Sequence, residues 1–489
     1  MRKSIRKLAA CLCLWALLGS GLTVPARAAG FTDVPSGHWA AEAVSQCVSR
    51  GWFQGKSADT FGVGQPMTRG AFAVVLSRFF DWQPQGADYE IFSDVPRDAW
   101  YEPAVRACYE HGAVTRQTGT FRPADAITRE ELAVLLIRAL GCGSTAGLFS
   151  EAALPFRDVT TNRGYIAMAY EMGLVNGMGG DLFVPHRAAT REQTAVILSR
   201  LYGRLHPIAQ ENAAIVHPGE APADYTGCQT AVVMGGMLTG GRNPRFAASD
   251  SEAWQKTASG AREAGCQVLL GVSGQASALE AGTSAAEPLL QALEDSGADG
   301  LYLDITQRQW TDAVHLTQLA EALHRAAPEK KLYVEADAPV RGELDPDYAG
   351  LAAAADRIVL RVPAVTDSAA AVPVCAMEPL ENICYALSVL NDEVPAQKLS
   401  LLLTAAGQAW NAGSRRFSTV TGDTLEAMLE EGTTYYSDRY ACAYAETENG
   451  VVWYLDGRGL AARRQLLNCF GVNALCVSTP EGMLTLAES

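Results

Sequence analysis

Three carboxylates in the second half of the chain carry the residue types and spacing for acid–base chemistry. Asp304 stands near the end of the apolar stretch Gly300-Leu301-Tyr302-Leu303-Asp304-Ile305, and Glu335 and Asp337 alternate at the end of the next, which begins at Lys331. In an extended strand alternate side chains share a face, so Tyr302, Asp304 and Thr306 point one way and Leu301, Leu303 and Ile305 the other. Neighbouring strands lie ~4.8 Å apart, which lets these carboxylates approach the spacing of a pair that opens a glycosidic bond with retention. Asp304, Glu335 and Asp337 are therefore the candidate catalytic residues. The opposing reading is that Arg361, one strand further on, neutralises all three in a buried ion network. The seven histidines are scattered, with no pair at ligand spacing, so neither a metal nor a cofactor is expected.

The surrounding pattern says what must position these groups. Short apolar runs, expected to be strands, lie at Ala213–Val216, Thr230–Met234, Gln267–Gly271, Gly300–Ile305, Lys331–Glu335, Arg357–Val362, Leu399–Thr404 and Ala474–Ser478. Helical patterns separate most of them, among them Glu252–Ala264, Pro288–Ser296, Ala313–Ala326 and Leu460–Phe470. Eight strands with intervening helices over about 270 residues predict a (β/α)₈ barrel, whose chemistry sits at the strands' C-terminal ends. An open doubly wound sheet is the alternative.

The first half repeats itself. Phe31-Thr32-Asp33-Val34, Phe92-Ser93-Asp94-Val95 and Phe156-Arg157-Asp158-Val159 open three units, Gly51, Gly112 and Gly173 punctuate them, and Thr68-Arg69, Thr128-Arg129 and Thr190-Arg191 start a second helix in each. Each glycine is placed to end the first helix with a left-handed residue. Thr128 with Glu131 makes a capping box, and Gln193 takes the Glu position in the third unit. These units resemble S-layer homology (SLH) domains through Phe-x-Asp-Val, Trp-Ala, the central Gly and Thr-Arg-Ala-Glu. The resemblance implies an all-α bundle of three-fold pseudo-symmetry that holds an acidic, often pyruvylated, secondary cell-wall polysaccharide. The residues matching that function are Arg69, Arg129 and Arg191, whose guanidinium groups at helix N-termini suit a carboxylate. Asp33, Asp94 and Asp158 stand beside them, with Trp39 and Trp100 as sugar-stacking surfaces. Core burial of the two tryptophans, and pairing of the arginines with Asp33 or Glu131, are the structural alternatives. The first unit lacks the Glu and the third lacks the Trp, so the second matches best.

The second half resembles family 18 glycoside hydrolases. Asp299-Gly300-Leu301-Tyr302-Leu303-Asp304-Ile305-Thr306 parallels that family's Asp-Gly-x-Asp-x-Asp-x-Glu strand, with Tyr302 in place of the first inward Asp and Thr306 in place of the proton-donating Glu. A hydroxyl of normal pKa cannot protonate a glycosidic oxygen at neutral pH. The family's Met-x-Tyr-Asp is Arg361-Val362-Pro363-Ala364 here, and the last strand has no Trp. Trp410 falls near an aromatic position after the seventh strand, Val452-Trp453-Tyr454-Leu455-Asp456 matches the segment before the last helix, and about 415–450 fits a small α+β insertion. Tyr302, Asp304, Thr306, Arg361 and Trp410 thus mark a vestigial sugar site, with an N-acetylglucosamine-containing glycan as the partner it implies.

Composition sets the address. Hydrophobic residues make up 48% of the 489 residues, enough for more than one core. Basic residues at 2, 3, 6 and 7, an apolar run and Ala26-Arg27-Ala28 read as a secretory leader, and no other run is long enough to span a membrane. The formal charge of −15 becomes −20 once the leader's five basic residues are removed, which excludes an ordinary nucleic-acid binder. Ten cysteines remain, with no Cys-x-x-Cys among them, and most sit in apolar runs as buried thiols. The expected order is a leader at 1–28, repeats at 29–88, 89–150 and 151–205, a linker at 206–224, and the barrel at 225–489, its first strand allowed from 212. The expected protein is secreted to the cell wall or S-layer of a Gram-positive-type bacterium and displays a non-catalytic barrel. A wall-anchored hydrolase of peptidoglycan or chitin-like glycans and a structural S-layer subunit are the alternatives.

Overall fold

The computed structural model describes residues 30–85, 90–116, 119–143, 145–151, 154–207, 210–219, 225–305, 310–340, 347–391, 393–437, 439–448 and 450–478. The leader and Thr306 lie outside these. The chain divides into two compact units, residues 1–139 with 178–201, and residues 140–177 with 202–489. The second of these units takes in residues 140–177, from the end of the second repeat and the first part of the third.

In the first unit, helices α1 (Ala41–Ser49), α2 (Arg69–Phe79), α3 (Glu102–Glu110) and α4 (Arg129–Ala139) follow the repeat. Gly51 and Gly112 end α1 and α3 at φ +77° and +74°, a region closed to most side chains, so the glycines are placed by necessity. The Thr68 side chain accepts from the Ala71 amide, and Thr128 with Glu131 closes its reciprocal box at 3.1 and 2.9 Å. Three short antiparallel bridges, Thr68 with Ala126, Thr128 with Ala188 and Pro66 with Thr190, link successive repeats in a ring, so the region is mainly but not wholly helical. Phe61, Phe121 and Phe183 are buried at equivalent positions.

The third repeat supplies α5 (Arg163–Glu171) and α6 (Arg191–Leu205). Gly164, in the first turn of α5, meets the turn at Thr145–Glu151 so closely that a Cβ there would lie 1.7 Å from the Ala146 oxygen.

In the second unit, eight parallel strands close on themselves: β1 (Ala213–Val216), β2 (Thr230–Thr239), β4 (Gln267–Gly274), β5 (Gly300–Ile305), β6 (Lys331–Asp337), β7 (Arg357–Arg361), β10 (Leu399–Thr404) and β16 (Leu475–Ser478). β1 pairs with both β2 and β16, which closes the barrel and excludes the open sheet. All eight expected strands are present. β1 begins at Ala213, within the span from 212 allowed for the first strand, and supplies the eighth strand that closure needs. Between strands run α7 (Ser251–Glu263), α8 (Ala286–Ser296), α9 (Trp310–Ala326), α10 (Tyr348–Ala354), α11 (Leu380–Leu390) and α13 (Gly457–Cys469). Ala213, Ile215, Val232, Leu269, Tyr302, Tyr333, Val359 and Cys476 fill the interior. Gly300 is required where β5 meets β6, since a Cβ there would lie 2.1 Å from the Lys331 oxygen.

Two pieces decorate the barrel. β3 (Arg245–Ala248) extends β2 antiparallel, and β8 (Val365–Asp367) pairs with β9 (Val374–Ala376). The expected insertion is a five-stranded antiparallel sheet, in the order β12 (Arg416–Val420), β11 (Gly407–Asn411), β15 (Gly450–Tyr454), β14 (Cys442–Thr447), β13 (Thr433–Ser437), with α12 (Gly422–Glu431). It runs from Gly407 to Tyr454, wider than the motif suggests. The ten cysteines among the described residues are free thiols, nine of them buried. Among the described residues no helix is long and apolar enough to cross a membrane.

Candidate functional site

The barrel's C-terminal mouth brings the predicted charged residues together. β5 and β6 run in register with Tyr302 opposite Tyr333, and β6 and β7 place Asp337 opposite Arg361. Arg361 Nη2 donates to Asp304 Oδ1 at 2.8 Å, Nη1 to Asp337 Oδ1 at 3.0 Å, and the same guanidinium grips the Glu335 carboxylate. The Tyr302 hydroxyl donates to the other Glu335 oxygen. One fork therefore serves three carboxylates, as a planar guanidinium with five donors can.

Burial sorts the three acids. The Glu335 side chain is 5% exposed, against 36% for Asp304 and 51% for Asp337. Burial and the nearby Asp304 push the Glu335 carboxyl up to about 7, against the pull of Arg361 and the Tyr302 hydrogen bond. Asp304 is also raised, by burial first, with Arg361 opposing. Tyr302 is driven well above its usual range by burial and the adjoining carboxylates. A pair of acids in unequal environments is the pattern that general acid–base chemistry uses, and a guanidinium seated on both is the pattern of a neutralised network.

Trp410, the fifth residue expected at this site, is not in the cluster. It is buried in the insertion's core with Cys442, Val451 and Trp453, because β11 turns its indole into the sheet's own apolar layer. Sequence reasoning also missed Glu378. This carboxylate lies beyond β9 and faces a cavity of about 560 Å³ that Asp337, Arg361, Cys375, Leu402 and Thr404 also wall. A lone acid between Val374-Cys375-Ala376-Met377 and Pro379-Leu380 was the available signal. Among the described residues no group of three His, Cys, Asp or Glu is placed to hold a metal.

In the first unit the three predicted arginines are only 7–8% exposed. Nε of Arg69, Arg129 and Arg191 donates to the carbonyl oxygens of Phe121, Phe183 and Phe61 at 2.8–3.0 Å. Each guanidinium also lies over the same Phe ring, 4.4–4.9 Å from its centroid. Arg69 pairs with Glu131 at 3.1 Å, and Arg191 donates to the Gln54 carbonyl. Each of the three guanidinium groups is thus seated against the next repeat, where desolvation is offset by ring and carbonyl contacts.

The family described as S-layer homology domain matches residues 30–73, 91–133 and 155–195. Three segments of this chain are SLH domains. An endoglucanase of Bacillus sp. (strain KSM-635) is 30% identical over 43% of this chain and 22% of its own length. An S-layer protein of Bacillus thuringiensis subsp. finitimus is 24% identical over 38% of this chain and 23% of its own. The chain thus spans less than a quarter of these relatives. Among solved structures, a chitinase from Chromobacterium violaceum is similar at TM-score 0.46 and 18% identity, over 56% of this chain and 94% of that one.

Within the first two SLH domains the tryptophans are open to solvent. Trp39 is 63% exposed and Trp100 67%, so neither is core. The aspartates hold the loop that follows: Asp33 accepts from the amides of Phe61, Gly62 and Val63, and Asp94 from those of Phe121 and Arg122. Burial works to raise the Asp33 carboxyl, but these amides outweigh it and hold the group below the usual carboxylate range. Asp158, the third member, follows the buried Phe156.

Proposed function

We propose that this is a cell-surface protein held non-covalently to secondary cell-wall polysaccharide by its three SLH domains, displaying a barrel that binds glycan without cleaving it. The three SLH matches carry the anchoring half of this reading. A negatively charged, pyruvylated polysaccharide would dock beside the exposed Trp39 and Trp100, whose open faces suit a sugar ring. The S-layer proteins among the relatives support a cell-wall or S-layer location, and export would follow from the leader at 1–28. The domain order proposed is SLH domains over 29–88, 89–150 and 151–205, and then the barrel.

For the barrel, the carrying observation is the single guanidinium shared by Asp304, Glu335 and Asp337. A carboxylate bound by Arg361 is a poor base, and Thr306, in the position where a proton donor would stand, has no acidic proton near neutral pH. Tyr302 fills the barrel interior where an open site would need room.

The experiment is incubation of the purified protein with isolated walls, chitin oligomers and peptidoglycan. Pelleting with the walls, lost when they are stripped of secondary polysaccharide, is the expected result for anchoring; continued pelleting with stripped walls refutes it. No release of reducing sugar is expected.

One observation favours a second reading, a wall-anchored glycoside hydrolase. Glu335, raised to about 7 beside the more exposed Asp304, has the environment of a general acid. Turnover abolished by Glu335→Gln would establish it and overturn the non-catalytic reading. Self-assembly of the purified chain into sheets would instead support a structural S-layer subunit.

A further inference from the structure

The insertion's sheet ends on one side in an unguarded strand. β13 (Thr433–Ser437) pairs with β14 through one edge, and among the described residues no strand lies on the other. An outer strand leaves a row of backbone donors and acceptors without partners, and proteins usually blunt such a row with charge, proline or a bulge. The opposite margin is blunted: β12 begins at Arg416 and follows Arg415. β13 reads Thr-Thr-Tyr-Tyr-Ser, with no charge and no proline; its first three residues are exposed, and its register with β14 is unbroken.

The side chains of β13 continue a ladder. Trp453, Tyr444 and Tyr435 stand opposite one another on β15, β14 and β13. Their rings stack at 4.8 and 5.2 Å, tilted by 25° and 23°. Exposure rises outward, from 2% at Trp453 to 44% at Tyr435, and among the described residues no ring covers the outer face of Tyr435. α12, which lies on β14, is half-covered in the same way: Leu425, Met428 and Leu429 pack against Ala409, Ala445 and Val452, yet no residue of the helix is buried.

Charge sets the direction of a partner. Glu430, Glu431 and Glu446, the last opposite Thr433, are exposed around the N-terminal end of β13. Arg439 follows its C-terminal end and Arg458 lies 3.8 Å over the Tyr436 ring, so that end is net positive even with Asp438 counted. We propose that β13 is a homodimerisation edge: two copies of this chain pair through it, antiparallel, about a two-fold axis at Tyr435. That register sets Tyr435 of one copy opposite Tyr435 of the other, so the ladder runs on from one Trp453 to the second. It brings the acidic end of each strand to the basic end of its mate, whereas a parallel strand would set like on like. The two β14 strands would lie ~14 Å apart, close enough for helices ~10 Å across to cover each other's half-buried faces. An isologous pairing of this kind closes at two copies. Dimerisation here needs neither the glycan nor the wall.

The test is sedimentation equilibrium of the full chain, with cross-linking to read the register. A reversible monomer–dimer equilibrium is expected. Tyr435→Lys, at an exposed position, sets two like charges opposite each other and should weaken dimerisation about tenfold or more with the thermal transition unchanged. Tyr435→Cys, oxidised by dioxygen with copper phenanthroline, should give a covalent dimer absent from the unaltered protein, because opposed residues of an antiparallel pair bring their Cβ atoms to ~5 Å. Thr433→Cys, which faces Ser437 in this register, should not. A chain that stays monomeric, a dimer that Tyr435→Lys leaves intact, or no covalent dimer from Tyr435→Cys overturns the proposal. Cross-linking through Thr433→Cys as complete as through Tyr435→Cys, or longer polymers that form equally well with Tyr435→Lys, overturns it too.

Discussion

Replacing Arg361 by Met removes one guanidinium from three carboxylates, and the cost should depend on pH in a defined direction. Asp304 and Asp337 are 36% and 51% exposed, so water takes over much of their share and each contributes no more than a surface pair. Glu335, at 5% exposed, is left as a buried charge. Breaking a buried pair costs ~3–5 kcal/mol; because Arg361 is itself about a third exposed, the expected loss is nearer ~2–3 kcal/mol at pH 8. Glu335 has an ordinary value of 4.5 and sits at about 7 in the fold. The native state therefore holds its proton more tightly than the unfolded chain. Its contribution to stability is fully present below about 4.5 and is lost as pH rises through about 7. Without Arg361, which pulls that value down, the group moves higher still. At pH 5 the variant protonates Glu335 and strands no charge, so the penalty should fall to ~1 kcal/mol, the worth of the lost hydrogen bonds. Scanning calorimetry at pH 5 and pH 8 reads the difference. At roughly 2 °C per kcal/mol, the barrel transition should drop by ~5 °C at pH 8 and ~2 °C at pH 5. Adding Glu335→Gln, which still accepts from Tyr302, should recover most of the loss at pH 8. An equal drop at both pH values, or no recovery in the double variant, would refute the account of Glu335 as the stranded group.

Four further outcomes are expected. Trp39→Ala and Trp100→Ala should leave the thermal transition of the first unit unchanged and each weaken wall binding by about fivefold or more in a pelleting assay, since truncating a seated tryptophan costs ~1 kcal/mol or more. Arg129→Ala should instead destabilise the first unit by ~2–3 kcal/mol in urea unfolding, because it strands the Phe183 carbonyl and empties a cation–π seat. Gly300→Ala should lower the barrel transition by ~1–3 kcal/mol, as its Cβ would overlap the Lys331 oxygen and push β5 from β6. Asp33→Ala should cost ~1–3 kcal/mol above pH 5, and because the Asp33 carboxyl is held below its usual range, the penalty should shrink as acid protonates it in the unaltered protein.

Local chemistry made much of this protein legible from its residues alone. The glycines at 51 and 112 and the Thr128–Glu131 box are satisfied within a few residues of chain, so their roles follow from type and spacing. The eight barrel strands announce themselves because a strand buried on both faces must be a continuous apolar run. Arg361 could be placed beside Asp304, Glu335 and Asp337 because parallel strands at fixed spacing turn sequence order into neighbourhood. What tertiary structure alone decided were matters of side-chain direction and long-range closure. Arg69, Arg129 and Arg191 look alike whether they face a ligand or the next repeat, and only the ring of bridges between repeats turns them toward Phe121, Phe183 and Phe61. Trp39 and Trp100 could be core or surface, and only packing leaves them open. Trp410 went to the insertion's core because the partners that claimed it, Cys442, Val451 and Trp453, lie more than thirty residues further along the chain. Glu378 was hidden for the same reason: the groups that act on its carboxyl, on Thr404 and Arg463, are neighbours only once the barrel has closed.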